Sequence, residues 1–383
     1  MAVIDNFSIS KMDNSINQSQ KELEDKLLTI ASGGQVSMAV ALGMELNLFQ
    51  AMATACKASP RHFATAAEIA TQAGCKERYI FEWLASMACA GLIDVDPSGR
   101  LFSIKPEHVQ ILAGENGKQA HRHLYTMAFL PGFGIAFPEL KAAFSLGGPR
   151  GVPYSAYEDT FYTAMINFSR SLHDEHLCGV YIEMLGVLEL LQNGANVLDV
   201  GCGGGYHVQK LARHFPKSTF TGVDITQSAI DKAIAGAKGL HNAKFICADA
   251  GRLHKDWTGK YDLVFFFDSC HDLGRPDLTI TEVNRVLKPG GFFAMLEWLN
   301  GTGNVYDNIK TYGGPLAALF YGISALHCIG VGSNEEGDLG LGMMMGIDTG
   351  KKLLENAGFA KENISVQKPP FLPYNALRFQ RPY

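Results

Sequence analysis

The residues best equipped for chemistry lie between 199 and 297. Three glycines at alternate positions follow an acid in the run Asp199-Val-Gly201-Cys-Gly203-Gly-Gly205, which closes an apolar strand-like segment. Such spacing lets the backbone turn sharply and lets a ligand approach with no Cβ in its way. A dinucleotide site wants its third glycine where this chain has Tyr206, and Asp199 would repel a pyrophosphate. An acid at that point suits a ligand bearing an ammonium and a sulfonium. Asp224, roughly 20 residues beyond the glycines, ends a second strand-like run, where a carboxylate accepts ribose hydroxyls. Asp249-Ala250 ends a third, placing a polar group where an adenine amino group donates.

A fourth run is followed by Asp268-Ser-Cys-His271-Asp272. Ligands sit at the carboxyl ends of strands in open α/β sheets, so His271 is the best-placed base. An unperturbed imidazole titrates near pH ~6.5 and keeps a useful neutral fraction in the cytosol. Glu297 ends a fifth run, from which its carboxylate reaches the imidazole and holds its tautomer. The blander alternative is a loop histidine satisfied by Asp272 or Glu297 with no duty in catalysis. His207 is expected to cap a helix or face solvent, His327 to be a satisfied core histidine, and Cys202 and Cys270 to pack. Tyr206 and Trp298 are placed to stack on the ligand, and Met343, Met344 and Met345 to form an apolar wall.

The elements that must hold these groups alternate. Strand-like runs at 196–200, 219–223, 244–248, 261–267 and 291–297 are separated by stretches with helical spacing. Pro276 suits a helix start, Lys288-Pro-Gly-Gly291 a stop, and runs at 364–367 and 376–380 complete the sheet. The fold class is α/β, a doubly wound, Rossmann-like seven-stranded domain over 191–383. Ahead of it lie a polar arm over 1–30, with a first helix at 20–31, and a mostly helical domain over 31–110. A helical, aromatic-rich connector over 111–190 carries Phe129, Phe133, Phe137, Tyr154, Tyr157, Phe161 and Tyr162, part of a substrate pocket with 305–345. In the 31–110 stretch a capping box at Thr65-Ala-Ala-Glu68 opens one helix and Gly74 closes it. A second helix spans 76–90 with Ile80, Phe81, Leu84, Met87 and Ala88 on one face, and a hairpin follows over 92–104. Helix, turn, helix and hairpin is the order of a winged helix.

The ordered set VLDVGCGGG, Asp224, Asp249 and KPGG resembles the class I S-adenosylmethionine-dependent methyltransferases. The resemblance implies cofactor contacts at Asp199, Gly201, Gly203, Gly205, Asp224, Asp249 and Ala250, with Asp268 near the methionine end. A winged helix before such a domain resembles the dimeric small-molecule O-methyltransferases and, through GGPRGVPY, YGISALHC and PYNALRFQRP, a winged-helix methyltransferase group of mycobacteria and nematodes. In plant-type O-methyltransferases a His-Asp pair after the fourth strand deprotonates the acceptor hydroxyl, and His271-Asp272 matches it. The second orienting glutamate of that family, expected near 345, is replaced by Gly342-Met-Met-Met-Gly346, which keeps a thiol acceptor in view.

Composition trims the alternatives. The 383 residues carry 33 basic and 38 acidic side chains, a formal charge of −5, so no basic footprint marks nucleic acid or an anionic membrane. Eight cysteines without CxxC or zinc-ligand spacing read as reduced thiols, and no metal is expected. The polar first residues lack a secretory h-region, so a cytoplasmic protein is expected. The apolar stretch 313–332 holds Pro315, His327 and five glycines and reads as a buried helix or pocket wall rather than a membrane span. The expected function is methyl transfer from S-adenosylmethionine to an oxygen or sulfur of a small molecule, by a homodimer. The alternative is a DNA-binding regulator that binds the same cofactor, which the Lys76 and Arg78 against Glu77 and Glu82 balance of the candidate recognition helix disfavours.

Overall fold

The computed structural model describes residues 6–114, 120–299, 301–369 and 375–382. The chain divides into two compact units, Met1–Pro131 and Gly132–Tyr383.

In the first unit one 40-residue helix, Asn6–Glu45, replaces the separate arm and helices expected over 6–47. Residues 1–5 of the expected arm lie outside the described residues. No proline interrupts the stretch, and Gly33 and Gly34 cost a helix only about 1 kcal/mol each. Asn47 in the left-handed conformation (φ 54°) ends it, and Leu48–Ala58 follows. Strand β1, Ala64–Thr65, leads into the helix Ala66–Ala73 through the expected capping box. The Glu68 amide donates to Thr65 Oγ1 at 3.2 Å, and the Thr65 amide donates to Glu68 Oε2 at 2.6 Å. The helix Glu77–Cys89 and the hairpin of β2, Asp94–Val95, with β3, Leu101–Ser103, complete the winged helix in the sheet order β1-β3-β2. Trp83 takes the inward position expected for Phe81, which is exposed. Its indole donates to the Ala39 carbonyl at 2.9 Å, over Gly43, where any Cβ would collide with the ring.

The second unit is built on β4 (Asn196–Val200), β5 (Thr219–Asp224), β6 (Ala243–Cys247), β7 (Tyr261–Phe267), β8 (Leu287–Glu297), β9 (Ile364–Gln367) and β10 (Asn375–Gln380). Their order is β6-β5-β4-β7-β8-β10-β9, parallel from β6 to β8, with β10 antiparallel to both β8 and β9. The chain moves outward from β4 through β5 to β6, then returns to lay β7 on the other side of β4. That reversal opens a crevice beyond the carboxyl ends of β4 and β7, the place where such sheets bind ligands. Continuous apolar runs such as Leu263–Phe267 suit strands covered on both faces. Lys288-Pro-Gly-Gly291, expected as a stop, is instead a bulge inside β8. Tyr261 pairs with Leu287 and Leu263 with Phe292, so the four residues loop out, with Gly290 at φ 75°.

Two helical stretches of the described residues, Gln18–Glu45 and Gly314–Val331, are long and apolar enough to cross a membrane. The first was not expected. The second turns Ala317, Phe320, Cys328 and Val331 into the interior of its unit, as a pocket-wall helix would.

Candidate active site

The turn after β4 holds Gly201, Gly203 and Gly205 at φ of 71°, 50° and 76°, a region costly for residues with a Cβ. A Cβ at Gly201 would lie 2.5 Å from that of Ser269, whereas at Gly203 it would meet nothing within 4 Å, so this backbone edge faces open space. The turn is tied to β5: the amides of Gly201 and Cys202 donate to the Val223 carbonyl at 2.9 and 3.0 Å. Asp224, at the end of β5, accepts from the Gly203 amide through Oδ2 and from the Thr226 amide through Oδ1, both at 2.9 Å. Burial pushes its carboxyl up, against these hydrogen bonds.

Asp199 sits beside this turn in β4, 3% exposed, and neither carboxylate oxygen has a hydrogen-bond partner. Burial first, and the nearby Asp224 second, push its carboxyl well above the usual range. A buried anion left unpaired is costly unless a cation completes it. Asp249 lies one strand further on, exposed, and accepts from the Gly251 amide at 2.8 Å to cap the turn Ala250–Arg252. The Ala248 amide donates to the Asp224 carbonyl at 2.9 Å, so both acids stand at neighbouring strand ends. Asp268, after β7, adopts φ 52° and lies 3.8 Å from the Nε2 of His173. An orphaned carboxylate, an open glycine edge and a carboxylate at the ribose position fit S-adenosylmethionine, which is cationic at its methionine end.

On the β7 side, Ser269 Oγ donates to the Val200 carbonyl at 2.7 Å and pins the loop to the end of β4. The tight turn Cys270–Asp272 is gathered by Glu297 from the end of β8. Glu297 Oε1 accepts from the Cys270 amide at 2.5 Å, and Oε2 lies 2.6 Å from His271 Nδ1. Facing an acceptor-only carboxylate, Nδ1 carries its proton and donates, so Nε2 is the free end of the ring. Nε2 is 3.5 Å from Asp272 Oδ1. Asp272 Oδ2 accepts from the Tyr154 hydroxyl at 3.3 Å and lies 3.7 Å from His327 Nδ1. Burial alone would lower the His271 pKa, but the Asp272 and Glu297 carboxylates outweigh it and hold the imidazole well above its ordinary value. The two carboxylates therefore make the neutral fraction at cytosolic pH smaller than expected, and the neutral ring, with Nδ1 protonated and Nε2 free, is a correspondingly stronger base.

Several side chains depart from expectation. His207 is buried rather than capping or solvated, stacked on Phe267 at 4.1 Å. Its Nε2 lies 2.6 Å from Nδ1 of His173, and burial pulls both imidazoles down, His173 to about 3. Nothing in the run Ser-Leu-His173-Asp marks that partner. His327 is not a satisfied core histidine: its Nε2 has no hydrogen-bond partner, and its ring is packed by Tyr154, Tyr157 and Phe161 at 4.7–5.4 Å. Tyr206 commits its hydroxyl to Asp174 at 2.9 Å, and Trp298 packs on Phe320 at 5.0 Å. Phe137 faces solvent, whereas Tyr154 and Tyr162 lie 5.9 Å apart between Asp272 and Asp224. Met343 and Met345 are core residues, whereas Cys202 and Cys270 are packed as expected, with burial pushing their thiols well up.

A reversed-order parallel sheet with a glycine turn and strand-end acids defines the class I methyltransferase architecture, and the comparisons agree. Residues 191–314 match the model of a methyltransferase domain, and residues 34–114 that of the Rv2258c-like winged HTH domain. The chain thus joins an S-adenosylmethionine-dependent methyltransferase domain to a winged helix of the Rv2258c-like kind. It is 38% identical over 103 residues to the fatty-acid O-methyltransferase of Mycolicibacterium smegmatis, a match covering 26% of this chain and 36% of that protein. The chain spans about a third to a half of the length of the curated relatives it matches. Human N-acetylserotonin methyltransferase, solved with S-adenosylmethionine, superposes with a TM-score of 0.64 at 17% identity, covering 96% of this chain and 98% of that one. An O-methyltransferase family protein from Burkholderia thailandensis gives 0.62 at 16% identity, covering 100% and 99%. At these identities the likeness is one of fold.

Proposed function

We propose that this protein moves the methyl group of S-adenosylmethionine to an oxygen or sulfur of a small, largely apolar molecule, with His271 as base. The carrying observation is the Glu297–His271 pair at 2.6 Å, fixed by Ser269 to the strand that bears the glycine turn. Bound S-adenosylmethionine supplies an electrophilic methyl on a good sulfonium leaving group. Asp224 would accept the ribose hydroxyls, Asp249 and Ala250 would border the adenine, and Asp199 and Asp268 would face the cationic methionine end. Transfer is an in-line displacement: the acceptor oxygen or sulfur bonds the methyl carbon as the carbon–sulfonium bond breaks. The acceptor proton passes to His271 Nε2, while Glu297 holds the ring through Nδ1. A carboxylate or thiol acceptor places less demand on the base than an alcohol. The name of the Mycolicibacterium relative makes fatty acids one class to try.

The test is a labelled-methyl screen over phenols, carboxylates, thiols and amines, with Asp224→Ala as the variant that loses cofactor affinity. Transfer confined to amines would refute the acceptor class, and no calorimetric heat with S-adenosylmethionine or S-adenosylhomocysteine in folded protein would overturn the whole reading. The winged helix is read as a packing and dimerisation module: Arg78 is paired with Glu82, and Leu23, Leu27, Leu28 and Ile30 are exposed on one helix. Sedimentation showing only monomer at micromolar concentration rejects the dimer. A salt-dependent shift of duplex DNA would instead support the regulator reading. Eight free cysteines support a reducing, cytoplasmic setting.

A further inference from the structure

We infer that His271, Asp272 and Cys328 form a three-donor site for Zn²⁺, and that an ion there takes His271 out of proton transfer. One ligand atom from each residue lies within 4.8 Å of the other two, and the three residues are 5%, 8% and 2% exposed. They come from the loop after β7 and from the wide π-helical turn Ser324–Cys328. Such turns recur at functional sites because they re-aim one side chain.

The Cys328 thiol also hydrogen-bonds with His271 and Asp272, and two observations point beyond that to a set of metal donors. First, Asp272 Oδ1 is buried and has no hydrogen-bond partner, although the other oxygen is held by Tyr154. Its separation from His271 Nε2, 3.5 Å, is close to the edge of a zinc tetrahedron. Nitrogen and oxygen donors each about 2.0 Å from the ion stand about 3.3 Å apart. Second, the supporting contacts already have the form of a metal centre. Metal-bound histidines commonly give their other ring N–H to a carboxylate, and Glu297 takes that proton from Nδ1 at 2.6 Å while itself anchored by the Cys270 amide. Imidazole, carboxylate and thiolate together favour zinc over magnesium or calcium. Three protein donors leave a fourth position open. Binding displaces the thiol proton of Cys328 and any proton on Nε2 to solvent, so affinity rises with pH.

The binding half stands on these contacts alone; the inhibitory half rests on the proposed role of His271. The metal-stripped full-length chain is titrated with Co²⁺. One equivalent should give tetrahedral visible bands and a thiolate charge-transfer band, displaced by Zn²⁺. Cys328→Ser, checked for folding by circular dichroism, should lose the charge-transfer band, and Asp272→Asn should weaken binding at least tenfold. Absence of the band, or its survival in Cys328→Ser through a cysteine elsewhere, overturns the site while leaving the proposed function intact. With an acceptor identified, stoichiometric Zn²⁺ should cut methyl transfer at least tenfold and a chelator should restore it. Stimulation by Zn²⁺ would overturn the inhibitory half and the base role of His271 together.

Discussion

Asp199 and Glu297 stand near the carboxyl ends of β4 and β8, the strands on either side of β7, and both are almost wholly buried. Their surroundings differ completely. Glu297 holds the Cys270 amide with one oxygen and His271 with the other, whereas Asp199 holds nothing. Folding does not favour a buried acid without partners, and under the proposed function Asp199 is a charge kept for a ligand. Glu297 is a charge spent on the protein's own loop. Under the proposed function, one side of the crevice waits for a cation, and the other is assembled beforehand around a base.

The contrast can be broken at its strongest point first. His271→Ala should lower turnover by about 10²–10⁴-fold, with cofactor affinity unchanged by calorimetry; equal loss of both would mean the two halves are one. Next comes a pair of opposite signs in thermal unfolding. Glu297→Ala strands the Cys270 amide and an imidazolium and should cost about 3–5 kcal/mol. Asp199→Asn removes an unpaired buried acid and should raise stability by about 1–3 kcal/mol while abolishing S-adenosylmethionine binding. Destabilisation by Asp199→Asn would show that the carboxylate has a partner in the folded chain.

A pH test sharpens the same difference. The folded pKa of Asp199 is raised, so the folded chain keeps a proton that the unfolded chain has already lost. Its contribution to stability therefore falls as pH rises from the ordinary carboxylate value through the folded pKa. A cation reverses that cost, so cofactor binding should release a proton within this window, read as a buffer-dependent binding heat that Asp199→Asn abolishes. The smallest effect is reserved for Tyr154→Phe. Loss of its 3.3 Å hydrogen bond to Asp272 should cost about 0.5–1.5 kcal/mol and leave cofactor binding unchanged.

Much of this design was legible beforehand where it is written in local spacing. The seven strands fall within a residue or two of their apolar runs except β8, whose KPGG bulge adds four residues at its start. The capping box at Thr65 and Glu68 and the glycine turn at 201–205 are local backbone requirements, and both formed as expected. The choice of Phe81 over Trp83 for the core failed because helical spacing places both near one face. Only Gly43, on another helix, decides which ring has room. The helix Asn6–Glu45 ran on because polar composition does not end a helix that lacks a breaker.

Residue types and their order along the chain determined that a glycine turn and a succession of acids would stand at strand ends, because strand period and glycine's freedom are properties of a few neighbouring residues. Which acid would be paired and which left bare was decided in three dimensions. Glu297 meets His271 and Cys328 meets Asp272 across 26 and 56 positions of chain, and His173 meets His207 across 34. Desolvation and pairing depend on what the packed fold brings within a few ångströms, which no local pattern encodes.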